Sequence, residues 1–153
     1  HAEGRLLEES KEEIAKDFSG YIEKEKSKAR GENLPAGFVP QTDYWLVEGE
    51  EYIGSLNIRH TLTDHLRAIG GHIGYSIRPS KRRHGYGTLI LKLGLEKAKE
   101  MGIEKVLLTC DVTNEGSRKI IEGNGGVLEN VVPNPGAPDK ARFWIATGRS
   151  TLQ

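Results

Sequence analysis

The segment "RPSKRRHGYGTLILKL", Arg78–Leu93, sets four successive basic or imidazole side chains before two closely spaced glycines and then enters an apolar run. Glycines allow backbone N–H groups to approach a ligand closely, and the first turn of a helix offers unpaired donors with a partial positive charge. This combination suits a phosphate group. The alternative is an ordinary strand-to-helix turn with solvated basic side chains, and the spacing alone leaves both interpretations open.

The sequence around this loop predicts alternating strands and helices. "GGHIGYSIRP" precedes the loop as a strand that ends at Pro79, and a helix follows the loop as far as a capping glycine, Gly102. The apolar residues that recur at helical spacing in it are Ile90, Leu93, Gly94, Ala98 and Met101. "KVLLTCD" is a nearly continuous apolar run, as expected for a strand covered on both faces. A short helix, "EGSRKIIEGN", and a last strand, "ARFWIAT", complete this half.

The first third of the chain predicts helices followed by a hairpin. Apolar residues recur at helical spacing among charged ones, and Gly20 is a candidate break between two helices. These residues are Leu7, Ile14, Phe18, Tyr21 and Ile22. A connector rich in Gly, Asn and Pro leads to "TDYWLVEG" and "EEYIGSLNIRH", which read as two antiparallel strands.

The composition limits the classes of function. Among 153 residues, 22 Lys and Arg balance 22 Asp and Glu, so the chain does not coat nucleic acid by bulk charge. The length and hydrophobic content predict one domain, residues 1–153. The single cysteine, Cys110, makes neither an internal disulfide nor a zinc site by itself. With no apolar run of roughly 20 residues, we expect a soluble, cytoplasmic protein without membrane partners.

The glycine pattern does not match the common nucleotide motifs. A dinucleotide fingerprint needs a glycine where this chain has Ile90, and a P-loop needs Gly-Lys-Ser/Thr. The pattern Arg82-x-x-Gly85-x-Gly87 after "SIRP", continued by "KVLLTCDVTNEGSRKIIEGNGG", resembles the GNAT acetyltransferase superfamily. The resemblance extends over roughly Tyr44 to Leu128. It implies an α/β fold with a mixed, mostly antiparallel central sheet flanked by helices.

The resemblance also implies a function and a set of binding residues. The function is transfer of an acetyl group from acetyl-CoA, by direct attack, to an amine of a small molecule or peptide, without a metal. The backbone of Ser76 and Ile77 is expected to pair with the pantetheine arm, and Asn114 and Ser117 to approach that arm or the sulfur. The residues expected around the pyrophosphate are Arg82, Arg83, His84, Gly85, Tyr86, Gly87 and Thr88. For Asn114, the alternative is a plain helix N-cap.

The chain departs from the resemblance at the groups that transfer protons. Many relatives carry a tyrosine acid at the position of Ile121, which cannot donate a proton. Tyr75 and Tyr44 are candidate substitutes, although a CoA thiolate with a pKa of about 8.5 can also take its proton from water. The matching position for a glutamate base is Thr109 in one group of relatives and His72 in another.

An imidazole is a competent base near neutral pH, so His72 is the candidate base, and a structural histidine is the alternative. Arg59 and His60 lie on an adjacent strand and could also face the substrate. Cys110 beside Asp111 invites a nucleophile hypothesis, whereas a free cysteine in an apolar strand is usually a small buried hydrophobe. We expect Cys110 to be structural.

Two questions on organisation and function stay open in the sequence. "HAEGRLLEESKEE" does not read as the strand with which the family usually begins, so the sheet is expected to lack that strand or to receive it from elsewhere. A homodimer is left open as an assembly. The leading function is an N-acetyltransferase, and the alternative is a non-catalytic acyl-CoA-binding module. A nucleic-acid binder is disfavoured by the zero net charge.

Overall fold

A computed structural model describes residues 18–32 and 34–148, so the predicted helical positions Leu7 and Ile14 lie outside the described residues. The fold is mixed α/β, with antiparallel sheets flanked by helices. Its elements in chain order are α1 (Phe18–Arg30), β1 (Gln41–Glu48), β2 (Glu51–Arg59), α2 (Asp64–Ala68), β3 (Ile73–Ile77), a 3₁₀ turn (Pro79–Lys81), α3 (Tyr86–Glu100), β4 (Lys105–Asp111), α4 (Glu115–Gly123), β5 (Val127–Val132) and β6 (Lys140–Ala146).

The strands form two three-stranded sheets. The first has the order β1-β2-β3 and the second the order β4-β6-β5, and every pairing within them is antiparallel. The sheets meet at one isolated bridge, between Gly71 and Leu108. Beside it, His72 N–H donates to the Leu107 carbonyl at 2.8 Å. The strand edges of β3 and β4 beyond this seam are therefore not hydrogen-bonded to each other.

The core lies between the sheets and the face of α3 formed by Ile90, Leu91, Gly94 and Ala98. Three of the predicted positions lie on this face, whereas Leu93 and Met101 remain 39% and 36% exposed and Leu91 is buried in addition. Gly94 allows the helix to approach β2 closely, since a Cβ there would come within 2.5 Å of Leu56 Cδ1.

Several local predictions are confirmed and others are wrong. The helix α3 ends before Gly102, whose φ of +84° is the left-handed conformation expected of a capping glycine. Gly20 does not divide a helix, because α1 continues through it. The helix α2, which Thr63 caps by accepting from Leu66 N–H, and the strand β5 were not predicted.

Two general features of the described residues bear on function. None of their helices is long and apolar enough to cross a membrane. Within the same residues, no group of three or more His, Cys, Asp or Glu side chains is placed to hold a metal ion.

The close approach at Gly94 gives a first prediction. Gly94→Ala should lower the free energy of unfolding by about 1–3 kcal/mol, because the added methyl group overpacks the contact with Leu56. The matched control is Gly123→Ala at the end of α4, where a Cβ would meet open space, and it should raise stability by up to about 1 kcal/mol through helix propensity. Urea unfolding measures both. Equal effects of the two substitutions would contradict the packing argument.

Candidate active site

The loop between β3 and α3 is held in a sharply turned conformation. After β3 ends at Ile77, the 3₁₀ turn redirects the chain, and Arg82 Nε donates to the Ile77 carbonyl at 3.0 Å. Arg83 has φ +64°, the one positive value for a non-glycine residue among the described residues, and Gly85 has φ +83°. Such backbone strain at a non-glycine residue is commonly found at ligand sites.

This conformation leaves a run of backbone donors unpaired. Within the described part of the chain, none of the N–H groups from Arg83 to Thr88 donates a hydrogen bond. Gly85 is the N-cap of α3 and offers no side chain to cap it. The donors of the first turn thus face outward with the positive end of the helix dipole. This arrangement is able to bind a phosphate group.

The basic side chains of the loop differ in whether they form ion pairs. Arg83 and His84 are exposed and make no ion pair with the described residues. Lys81 Nζ lies 3.1 Å from Glu51 Oε2, and Arg78 Nη1 lies 3.7 Å from Glu51 Oε1. Among the described residues, the cationic charge of the loop that is not ion-paired is therefore that of Arg82 and Arg83.

The two glycines of the motif have different physical roles. Gly85 adopts the left-handed conformation and is surrounded by open space. Gly87 instead lies against α4, because a Cβ there would come within 2.5 Å of Ile120 Cδ1. Asn124 of the same helix end donates from Nδ2 to the Thr88 carbonyl at 3.3 Å. The start of α3 is thus fixed by the end of α4, a packing requirement that the motif alone does not reveal.

The strand β3 offers a free edge next to the loop. Among the described residues it pairs with β2 on one side only, with Ser55 opposite Ser76 and Gly54 opposite Ile77. Asn114 N-caps α4, since its Oδ1 accepts from Ser117 N–H at 3.0 Å. The N-cap alternative for Asn114 is therefore present in the structure, and its Nδ2 makes no hydrogen bond with the described residues.

Tyr75 and Ser117 form a polar pair between β3 and α4. Their hydroxyl oxygens are 2.9 Å apart, and either atom could donate. Burial raises the pKa of the Tyr75 phenol, which the Ser117 hydrogen bond partly offsets. The phenol therefore stays protonated at neutral pH and is able to act as a proton donor.

The other tyrosine candidate and the family's acid position are placed differently. Ile121 is fully buried in the core, so no proton donor stands there. Tyr44 lines a cavity of about 190 Å³ between β1 and α3, where its neighbours include Leu56, Ile90 and Lys97. Tyr44 also packs against the core, which favours a packing role.

His72 is a buried element of the seam between the sheets. Its side chain is 8% exposed, and its Nδ1 accepts from Leu107 N–H at 2.9 Å. Burial lowers its pKa to about 4. Because Nδ1 is the acceptor, the neutral ring carries its proton on Nε2 and has no lone pair left for a substrate proton. These contacts favour the structural alternative for His72.

The neighbouring base candidates also have structural partners. Arg59 Nη1 donates to the carbonyls of Gly70 and Gly71, at 3.2 and 3.0 Å. His60 Nε2 lies 2.7 Å from Thr42 Oγ1. Thr109, at the family's glutamate position, accepts from Gly70 N–H at 3.0 Å. All three therefore hold strand ends in place.

Cys110 is 5% exposed, and burial raises the pKa of its thiol. A buried, protonated thiol is a poor nucleophile, which favours the structural interpretation.

Sequence reasoning missed the acidic side chains beside the loop. Tyr86 donates its phenolic O–H to Glu48, and Glu51 approaches the loop's cations from the same hairpin. The acidic run "EGEE" at residues 48–51 was the available signal, but its distance from the loop in sequence hid the contact.

Comparisons with known proteins agree with this fold. The structure of Mycobacterium smegmatis RimJ in complex with CoA-disulfide is similar at TM-score 0.65 and 20% identity, covering 90% of this chain and 64% of that one. A spermidine N-acetyltransferase SpeG mutant from Vibrio cholerae matches at TM-score 0.60 and 14% identity, covering 73% of this chain and 69% of that one.

A Bacillus subtilis acetyltransferase in complex with CoA matches at TM-score 0.58 and 14% identity, covering 69% of this chain and 76% of that one. No curated protein matches the chain. The family model described as "Acetyltransferase (GNAT) domain" matches residues 7–127, which is well over half of the sequence. The chain therefore belongs to the GNAT acetyltransferase family.

Proposed function

We propose that the protein transfers an acetyl group from acetyl-CoA to an amine of a small molecule or peptide. The observation that carries the proposal is the run of unpaired N–H donors from Arg83 to Thr88 at the start of α3. These donors bind the pyrophosphate, Arg83 supplies neighbouring positive charge, and His84 lies beside them. Similarity to acetyltransferases, two of them solved with CoA compounds, supports the same assignment.

The free edge of β3 directs the pantetheine arm toward the reacting centre. Backbone groups near Ser76 and Ile77 pair with the amides of the arm, as a further strand would. Asn114 and Ser117 lie at the start of α4, which contacts β3 through the Tyr75–Ser117 pair. The thioester then lies near Tyr75.

The reaction proceeds by direct attack. The amine lone pair forms a bond to the thioester carbonyl carbon, and a backbone N–H of β3 stabilises the oxyanion. The C–S bond then breaks, its electrons stay on sulfur, and the thiolate takes the Tyr75 phenolic proton. Solvent reprotonates Tyr75 through Ser117 and accepts the proton that the amine loses.

The first prediction from the proposed function tests the phosphate site. Arg83→Gln should weaken CoA binding about tenfold, because it removes a charge-assisted contact. The matched control, Lys99→Gln, removes the same charge about 20 Å from the start of α3, beyond the screening distance at physiological salt, and should leave affinity nearly unchanged. Calorimetry with CoA measures both. Equal affinities of the two variants would contradict the site. A Gly87→Val variant would not test the phosphate site cleanly, because the added side chain would also collide with Ile120.

The second prediction concerns the proton donor. Tyr75→Phe should lower kcat about 10²-fold with little change in the KM for acetyl-CoA, since the phenol acts in the chemical step. The phenol donates only while protonated, so the rate of the parent protein should fall as pH rises through a pKa above the ordinary value near 10. Tyr75→Phe should lack this decline. Ser117→Ala keeps the phenol and should have the smaller effect; an unchanged Tyr75→Phe rate would exclude the role.

The third prediction separates the two roles of His72. His72→Asn keeps an acceptor near the position of Nδ1 and should retain stability and turnover better than His72→Gln, whose oxygen lies further out. A base acting through Nε2 would instead be lost in both variants, with rates about 10²-fold lower.

The pH dependence of stability gives an independent readout of the same role. The folded pKa of about 4 lies below the unfolded value near 6.5, so the unfolded state binds the proton first as pH falls. The parent should therefore lose stability between about pH 6.5 and 4, and His72→Asn should lose less in that range. Identical pH curves would contradict the buried, neutral imidazole.

Turnover distinguishes this function from a non-catalytic acyl-CoA-binding module, which the buried Ile121 would otherwise favour. A panel of amines, aminoglycosides and peptides is incubated with acetyl-CoA, and release of free thiol is measured. We expect amine-dependent release that Tyr75→Phe suppresses. CoA binding without release on any acceptor would support the binding module.

A further inference from the structure

The β1–β2 hairpin brings carboxylates onto the cosubstrate loop. Glu51 contacts both Lys81 and Arg78, at 3.1 and 3.7 Å. Glu48, on the other strand of the hairpin, accepts a hydrogen bond from the phenolic O–H of Tyr86. This contact is the main reason that the pKa of Tyr86 is raised. The two carboxylates thus engage Tyr86, which lies in the segment that the proposed function assigns to CoA phosphates, and the cations Arg78 and Lys81, which precede that segment.

These contacts place anions where further anions are to bind. A phosphate that approaches the loop is repelled by Glu48 and Glu51, and it gains less from Lys81 and Arg78 while Glu51 neutralises them. Both partners of each ion pair remain substantially exposed, with Glu51 at 49% and Lys81 at 26% side-chain exposure. Such exposed pairs are weak and exchange readily, so a phosphate is able to displace them.

We propose that Glu51, assisted by Glu48, lowers the affinity for CoA and acetyl-CoA by competing with their phosphates for Arg78, Lys81 and Tyr86. The inference rests on the proposed function, since it requires CoA at this loop. The hairpin is then an affinity-setting part of the cosubstrate site. The same phosphates hold substrate and product, so the competition also favours release of CoA after transfer.

The chain provides a matched pair of variants for the test. Glu51→Gln removes the ion pairs with little change in shape. Glu50→Gln removes the same charge from the adjacent, exposed residue, which makes no ion pair or hydrogen bond with the described residues. Calorimetry with CoA at low and physiological ionic strength compares both variants with the parent, and thermal unfolding checks that all three are folded.

We expect Glu51→Gln to bind CoA about two- to fivefold more tightly than the parent at low ionic strength, the range expected of exposed ion pairs. Its affinity should also fall more steeply with salt, because more cationic charge is free to meet phosphate. Glu50→Gln should change affinity less. Glu48→Gln should strengthen binding as well.

Two failures are distinguishable. If Glu51→Gln binds CoA no more tightly than Glu50→Gln, the competition is overturned while the phosphate site stands. If neither the parent nor any variant binds CoA, the proposed function fails, and this inference fails with it.

Discussion

The contact between the two sheets at His72 and Leu107 is the constraint on which the site depends. Two hydrogen bonds join these residues, one from each backbone N–H, and Arg59 and Thr109 hold the adjacent glycines. Beyond this point β3 and β4 separate. A buried imidazole suits such a joint, because its acceptor nitrogen satisfies a strand N–H that has no strand partner there.

In the proposed reaction, backbone N–H groups bind the phosphates and a side chain donates the proton. Backbone donors of a short loop are rigid and require no particular residue type, apart from the conformations at Arg83 and Gly85. Proton donation needs a specific group, and the proposed function assigns that role to Tyr75 on β3. In place of the family's tyrosine, Ile121 contributes to the core.

Features that depend on neighbouring residues could be predicted from the sequence, whereas features that depend on contacts between distant residues could not. The loop, the Asn114 cap and the Gly102 cap follow from residue types within a few positions, and the fold class is confirmed. The strand β5 was missed because its residues are almost all exposed, which removes the alternation that marks a half-buried strand. The helix α2 has only five residues and no helical period to detect. The partner of His72 is 35 positions away, so its role was not visible in the sequence.

Each sheet is built from strands that are neighbours along the chain, residues 41–77 for the first and 105–146 for the second. Each half can therefore gain most of its pairing from contacts of short sequence separation, which favours fast, semi-independent assembly. The proposed cosubstrate site lies where the two halves meet, and a ligand that binds only the docked state stabilises that docking by mass action. Cosubstrate binding should therefore slow hydrogen exchange most strongly at the seam between the two sheets.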